Sequence, residues 1–186
     1  ALDGHLALLN TLNPPHTAGP LVPPWADTRF YGITLDSKNH NWLGGWESYH
    51  VYRYKPNRSS FAGLSAGTWT GIKQPAVLQH SRGIAADNRG KIWVAINNGY
   101  IWRVDQNIAD GLHDLSADTN YWAGGGTGII GVGIDFTGHV WGISYDNSLA
   151  ARLDIDASGN PKAGAPATEV VMMTAYGTSQ TAIEAM

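Results

Sequence analysis

The chain has 186 residues, a formal net charge of −3 and no cysteine, and 43% of its residues are hydrophobic. This composition is typical of a single globular domain and argues against disorder. The basic residues form no stripe that could neutralise a nucleic-acid backbone, and no apolar run is long enough to cross a bilayer. The lack of cysteine excludes disulfides and thiolate metal sites.

The chain starts at Ala1 rather than Met, which indicates a processed or excised segment. The absence of cysteine fits either a reducing cytosol or an exported bacterial protein, and of the two we favour export, to the extracellular space or the periplasm. Twenty-three glycines, nine prolines and eight tryptophans favour many short strands joined by tight turns. Only residues 5–12 predict a turn or two of helix, although LDGHLALLN, which overlaps them, also resembles a turn followed by a strand.

A sequence unit then recurs three times, in residues 32–54, 83–105 and 131–154. Each copy predicts a strand ending in Asp, a tight turn, a second strand carrying Trp, and a third strand ending near Arg. The Asp side chain can bond a backbone amide two residues on, and Gly or Asn at the fourth turn position tolerates the required backbone conformation. Asp precedes Trp by six residues every time. The recurring positions are Asp36, Asp87 and Asp135, then Asn39, Gly90 and Gly138, then Trp42, Trp93 and Trp141, then Arg53, Arg103 and Arg152.

These units predict an all-β fold, a β-propeller of four-stranded antiparallel blades. A fourth strand fits residues 67–75 and 115–124, and the Asp positions lie 51 and 48 residues apart, which is the period of a propeller blade. A β-sandwich is the competing architecture, but it does not require Trp at one fixed place in each unit. We expect the repeated Trp to pack between neighbouring blades rather than to stack on a ligand.

We place the blades at about residues 31–75, 82–125 and 130–173, with partial blades at both ends of one domain or segment, residues 1–186. The next inner strand is expected near residue 184. The ring could then close with four blades by joining the C-terminal strand to the N-terminal strands. Alternatively, the chain is a segment of a larger ring of about six or seven blades, completed by another chain or segment. The larger ring is favoured slightly.

The pattern G-[IV]-x-x-D-x-x-G-x-[IV]-W, followed by a strand ending in R-[VL]-D, resembles the streptogramin B lyase-like propellers and, more loosely, the NHL and two-component-regulator propeller repeats. The resemblance implies a ligand site at the mouth of the central tunnel. In the true lyase it also implies elimination assisted by Mg²⁺, with His and Glu residues. The lyase signature has Glu three positions after the Trp, and here those positions are Gly45, Ile96 and Ser144.

Candidate functional residues fall where the repeat is broken. The loops before the first strand and between the second and third strands of each blade should lie on one face, opposite the Asp turns. Glu47 and His50 have a spacing that could place an acid and a base on one loop, and with His80 they are the catalytic candidates. The ligand-binding candidates on the same face are Arg29, Trp46, Arg82, Asn97, Tyr145 and Asp146, with Asn98 beside them.

Each of these residues also has a plain structural interpretation. A His or Arg on a propeller loop is more often solvated or bonded to a carbonyl than catalytic, and packing over an adjacent loop is the favoured interpretation of Trp46 and Tyr145. His40 and His139 fall in the opposite-face turns and are expected at the surface. DIDASG, residues 154–159, resembles half of a calcium loop, but Ala165 replaces its last ligand, so a hairpin turn is favoured. A divalent cation, Mg²⁺ or Ca²⁺, is left open.

The sequence therefore predicts an exported propeller module that binds a partner protein, a glycan or a small ligand through its loop face. The complete structural repeat beside an incomplete catalytic signature favours a module without catalysis. The alternative is a metal-dependent lyase or hydrolase that uses Glu47, His50 and His80.

Overall fold

The computed structural model describes residues 6–10, 16–21, 23–24, 29–47, 49–59, 66–146, 149–162 and 171–172. These residues form strands and contain no helix, so none of them belongs to a helix that could span a membrane. The strands are β1 (Leu6–Asn10), β2 (His16–Leu21), β3 (Phe30–Leu35), β4 (Asn41–Gly45), β5 (His50–Lys55), β6 (Thr68–Lys73), β7 (Ser81–Ala86), β8 (Lys91–Ile96), β9 (Tyr100–Asp105), β10 (Gly111–Asp114), β11 (Tyr121–Ala123), β12 (Ile129–Ile134), β13 (Val140–Ser144), β14 (Leu149–Leu153) and β15 (Val171–Met172).

The strands form four sheets in chain order. A β1–β2 hairpin is followed by three sheets. Four strands of each pair antiparallel, in the orders β3-β4-β5-β6, β7-β8-β9-β11 and β12-β13-β14-β15. We call the last three the first, second and third repeat sheets. The strands expected in residues 67–75 and 115–124 are β6 and β11. The prediction of helical turns in residues 5–12 is wrong, because β1 occupies that region and pairs with β2 as an extended hairpin.

One strand departs from the antiparallel plan. After β9 the chain leaves the second repeat sheet, and β10 pairs in parallel with β6 on the outer edge of the first before β11 returns to β9. No feature of the repeat predicts this excursion, since β10 lies in the interval between two repeat strands. It covers the edge of β6, which would otherwise offer unpaired backbone groups to another chain.

The repeated Asp organises each turn as the sequence predicts. One carboxylate oxygen of Asp36 accepts hydrogen bonds from the backbone amides of Lys38 and His40, at 2.8 and 2.9 Å. The other accepts from the Trp42 indole at 3.0 Å, and the indoles of the two later units bond their own Asp at 2.9 Å. The fourth turn position has positive φ in every unit, 58° at Asn39, 79° at Gly90 and 89° at Gly138.

The same turn occurs a fourth time at residues 156–159. Asp156 accepts from the amides of Ser158 and Asn160, Gly159 has φ of 79°, and Ile155 and Pro161 form an antiparallel bridge. This is the hairpin turn favoured over a calcium loop. His40 and His139 are partly buried, and in each the Nδ1 atom lies against the Asp of its own turn, at 3.0 and 3.3 Å. Both histidines lie in the opposite-face turns as expected, but they are less exposed than surface residues would be.

In the first two units the repeated Trp packs between neighbouring sheets, as expected, whereas Trp141 of the third unit is half-buried. Trp42 is fully buried in a cluster with Ile84, Val94 and other residues of the second sheet. Trp93 is buried in the corresponding cluster with Val140 and Leu153 of the third. Because each indole is held by an Asp of its own sheet and packs on the next sheet, the hydrogen bond and the burial stabilise the same arrangement.

The repeated Arg joins the sheets a second time. Arg53 donates to the carbonyl oxygens of Gln106 and Ile108 at 2.9 and 2.7 Å, in the segment after β9. Arg103 makes the equivalent bond to the carbonyl oxygen of Gly159 after β14, at 2.6 Å. Each guanidinium therefore crosses from the third strand of one sheet to the segment after the third strand of the next.

The first glycine of the repeat is required because the inner strands β3, β7 and β12 approach one another closely. A Cβ added at Gly32 would lie 2.6 Å from the Arg82 carbonyl oxygen, and one added at Gly83 would lie 2.8 Å from the Gly131 Cα. Ile84 on β7 is 7% exposed because the first sheet covers it, whereas its equivalent Ile33 on β3 is 57% exposed. The expected inner strand near residue 184 lies outside the described residues.

We predict that Gly83→Ala destabilises the protein by about 1–3 kcal/mol, because both atoms that its methyl group would meet first are backbone atoms that cannot rotate away. Gly133→Ala is the matched control on β12, since a Cβ there meets nothing within 4 Å. The control should be neutral or slightly stabilising, because it restricts the unfolded chain. Urea unfolding of both variants measures the difference, and equal stability would contradict the close approach.

A second prediction concerns acid. Burial would by itself raise the pKa of Asp36, but hydrogen bonds from Trp42 and from the His40 and Lys38 amides outweigh it, and the pKa is lowered. A folded-state pKa below the unfolded value of about 3.9 gives stability that is present above that pH and is lost as the pH falls through the folded-state pKa. Asp36→Asn should therefore lose about 2 kcal/mol at pH 7. Its stability should also fall less steeply than that of the wild type below pH 4 in thermal unfolding followed by circular dichroism, and an unchanged acid slope would contradict this assignment.

Candidate functional site

The loops opposite the Asp turns meet on one face, which we call the loop face. In each repeat sheet the residue after the second strand donates its backbone amide to a carbonyl just before the first strand. These bonds are Trp46 to Arg29 at 2.7 Å, Asn97 to His80 at 3.0 Å, and Tyr145 to Gly128 at 3.2 Å. The three pairs are therefore structurally equivalent, and they place most of the candidate residues at corresponding points of three sheets.

Arg82 is the centre of the loop face. It is the second residue of β7, and its guanidinium carbon lies 4.2 Å from the centroid of the Trp46 ring, 5.2 Å from that of Tyr31 and 5.5 Å from that of Tyr145. Trp46 comes from the first sheet, Arg82 from the second and Tyr145 from the third. A cation over aromatic faces is attracted by their negative electrostatic potential, by about 0.5–2 kcal/mol depending on exposure.

Further rings extend this arrangement toward the outside of the first sheet. His80 stacks on Trp46 with centroids 4.7 Å apart, and Tyr49 stacks on His80 at 5.3 Å. Tyr31, Tyr49 and Tyr145 are 44%, 43% and 56% exposed, so their faces remain available to solvent. We call Tyr31, Trp46, Tyr49, His80 and Tyr145 the ring stack. Neither Tyr31 nor Tyr49 is indicated by the sequence pattern.

Tyr49 has an unusual backbone. Its φ is 57°, in the left-handed region that a bulky residue rarely adopts. Such strain persists where surrounding contacts enforce it, and it is common at binding sites. Two contacts hold Tyr49 in place. Its ring stacks on His80, and its carbonyl oxygen accepts a hydrogen bond from the Gln74 amide at 3.0 Å. Tyr49 also lines a cavity of about 390 Å³ formed with residues 73–79.

The proposed acid and base residues are engaged separately. Glu47 forms an ion pair with Arg29 at 2.9 Å, the Nδ1 atom of His80 contacts the Trp46 carbonyl oxygen, and His50 stacks on Tyr52 at 5.9 Å. Within the described part of the chain, no three His, Asp or Glu side chains come together as a group that could hold a metal ion. Glu47, His50 and His80 therefore do not form a metal-binding set in this structure.

The remaining candidates have different roles. Asn98 is structural, since its side chain bonds the Val77 carbonyl and the Gln79 amide. The Asp146 carboxylate packs against Gly128, where an added Cβ would lie 2.2 Å from it. Asn97 is distinctive because its Oδ1 atom is buried without a hydrogen-bond partner.

Arg82 shares that property. Its Nε atom is buried without a hydrogen-bond partner, and across the described residues its guanidinium makes ring contacts but no hydrogen bond or ion pair. Buried polar groups in native proteins are nearly always satisfied, so an exception requires an explanation. The loop face thus combines exposed rings with an unpaired donor on Arg82 and an unpaired acceptor on Asn97.

The fold has close structural relatives. A virginiamycin B lyase from Staphylococcus aureus matches with a TM-score of 0.59 and 15% identity over 86% of this chain and 48% of its own. A streptogramin B lyase structure matches with a TM-score of 0.62 and 14% identity over 86% and 47%. This chain has the fold of the streptogramin B lyases. It spans about half of their length, and at this identity the likeness shows the fold alone.

A more distant match is a protein described as the extracellular domain of a one component system from B. thetaiotaomicron. It has a TM-score of 0.50 and 17% identity over 78% of this chain and 20% of its own. No protein-family model matches the sequence, and no curated protein matches it. The β-propeller fold predicted from the repeat is confirmed by these structural relatives.

We predict opposite outcomes for two arginines whose Nε atoms are both buried and unpaired. Arg53→Met should lower the free energy of unfolding by about 3 kcal/mol or more. It leaves the Gln106 and Ile108 carbonyl oxygens without their donor and breaks the 2.7 Å ion pair with Asp110. Arg82→Met should be neutral or stabilising, because it replaces an unpaired cation among rings with an apolar chain of similar length. Thermal unfolding compares them, and equal losses would show that Arg82 is a structural residue.

Proposed function

We propose that this protein is an exported bacterial β-propeller module without catalysis that binds a glycan on its loop face. The observation that carries the proposal is the ring stack around Arg82, assembled from three sheets and partly open to solvent. An exposed aromatic ring presents a flat apolar face to which the C–H face of a pyranose packs. The nearby amide and charged groups can orient its hydroxyl groups.

The position of the rings supports a ligand role over a purely structural one. The sheets are already joined by the buried Trp42 and Trp93 clusters and by the Arg53 and Arg103 bonds. The ring stack lies beyond these contacts and leaves Tyr31 and Tyr145 about half exposed. Surface exposure of several aromatic side chains in one place is typical of an interaction site.

Export is supported by one structural relative. The B. thetaiotaomicron relative is described as an extracellular domain. That likeness is one of fold, so the location remains part of the proposal. Fractionation of the source bacterium with an antibody to the protein would test it, and a cytosolic location would oppose it.

The lyase alternative has less support in the geometry. The Glu of the lyase signature is replaced at all three units, and Glu47 is already paired with Arg29. The described histidines do not join acidic side chains in a group of three that could hold Mg²⁺. Among the described contacts, His50 stacks on Tyr52, and His80 stacks on Trp46 and contacts its carbonyl oxygen.

The binding function predicts that Tyr145→Ala and Trp46→Ala abolish glycan binding, because each removes one of the rings around Arg82. The measurement is retardation of the protein in native gels cast with single polysaccharides, neutral ones such as xyloglucan and laminarin and acidic ones such as alginate and polygalacturonate. Phe136→Ala is the matched control, since Phe136 is a fully exposed aromatic residue in an opposite-face turn. It should migrate like the wild type.

Three results would contradict the proposal. Wild-type protein could migrate unretarded in every gel, or the Tyr145 and Trp46 variants could be retarded as strongly as wild type. Capture of a protein partner that depends on Tyr145, without any retardation by polysaccharide, would assign the loop face to a protein interface instead.

A further inference from the structure

The unpaired guanidinium of Arg82 restricts the chemistry of the ligand. Ring contacts attract its positive charge, but its guanidinium makes no hydrogen bond or ion pair among the described residues. Hydrogen bonds to a charged group are worth about 1.5–3 kcal/mol. Because Nε is buried, an anion would meet the terminal nitrogens of Arg82 and would pair the donors and the charge there.

The charges around Arg82 favour an anion with a single charge. Arg29, the other guanidinium on the loop face, is paired with Glu47 at 2.9 Å. Tyr145, whose ring faces Arg82 at 5.5 Å, is followed directly by the carboxylate of Asp146. A phosphate dianion is best held by several cations, whereas one carboxylate matches the two parallel N–H bonds of one guanidinium.

We propose, resting on the function proposed above, that the loop face binds an acidic glycan and that Arg82 receives the carboxylate of a uronic acid residue. In a uronic acid the carboxylate is attached directly to the pyranose ring. A carboxylate bound at Arg82 therefore brings the attached ring beside the exposed aromatic rings of Tyr31 and Tyr145, which lie 5.2 and 5.5 Å from the same guanidinium. One sugar residue therefore contacts both the guanidinium and the aromatic rings.

The site also distinguishes the carboxylate of a sugar from that of an acidic side chain. A cationic donor beside exposed ring faces matches the carboxylate and the C–H groups of a uronic acid. The side-chain carboxylate of a peptide is carried on flexible methylene groups and has no sugar ring attached.

The test titrates labelled protein by NMR with trisaccharides of glucuronate, galacturonate and mannuronate, each as the free acid and as the methyl ester. The ester keeps the sugar ring and removes the charge. A peptide of three glutamate residues supplies carboxylates from the other source. The proteins are wild type, Arg82→Met, Arg82→Lys and the Phe136→Ala control, and the readouts are dissociation constants and the resonances that shift.

We expect at least one wild-type acid to bind at least ten-fold more tightly than its ester, with shifts at Trp46 and Tyr145. Arg82→Met should abolish this preference by lowering the affinity for the acid at least ten-fold more than the affinity for the ester, and Arg82→Lys should keep part of the preference. Phe136→Ala should behave as wild type. Such selective loss is not produced by general disruption of the fold, which would weaken acid and ester together.

Other outcomes would overturn the inference. Equal binding of every acid and its ester, equal loss of both in Arg82→Met, or tighter binding of the glutamate peptide would each exclude a uronate at Arg82. If no uronate binds but a neutral polysaccharide still retards the protein through Tyr145, the inference fails and the glycan-binding function stands. If neither test shows saccharide binding, the function itself fails.

Discussion

A buried aspartate carboxylate is the interaction on which each repeat sheet depends. One of its two oxygens accepts hydrogen bonds from the backbone amides of the turn. The other accepts a hydrogen bond from the indole N–H of a tryptophan on the next strand. The Trp is in turn buried against the following sheet. One side chain therefore fixes a turn, the orientation of the largest core residue and the distance to the neighbouring sheet. Its loss would weaken the turn, the Trp packing and the contact between sheets together.

The residues that stabilise each sheet therefore lie apart from those proposed to bind a ligand. The Asp turns, the Trp clusters and the Arg bonds lie toward one end and between the sheets, where every unit repeats the same residues. At the loop face the equivalent positions hold Trp46, Asn97 and Tyr145, and the backbone bonds that place them use only main-chain atoms. Side chains there can vary without loss of the fold, which is why an irregular set can form a site on a regular scaffold.

The sequence predicted what is periodic, because identical local chemistry produces identical local structure. The Asp turns, the positive φ at Asn39 and the packing of Trp42 all follow from residue type and spacing. It could not predict β10, whose parallel pairing with β6 depends on a distant edge rather than on its own four residues. Tyr31 and Tyr49 were missed for a similar reason. Tyr31 looked like an ordinary strand residue, and the stacking of Tyr49 depends on His80 from another sheet.

Arg53 and Arg82 show how structure separates roles that sequence cannot. Each has a buried, unpaired Nε atom, and both lie over aromatic rings. The terminal nitrogens of Arg53 nevertheless meet three carbonyl oxygens, a threonine and an aspartate, so its charge is compensated within the fold. Arg82 has rings on several sides and no acceptor among the described residues. The charge of Arg82 is therefore left without a partner inside the fold, and the exposed rings of Tyr31 and Tyr145 lie beside it, where a ligand would bind.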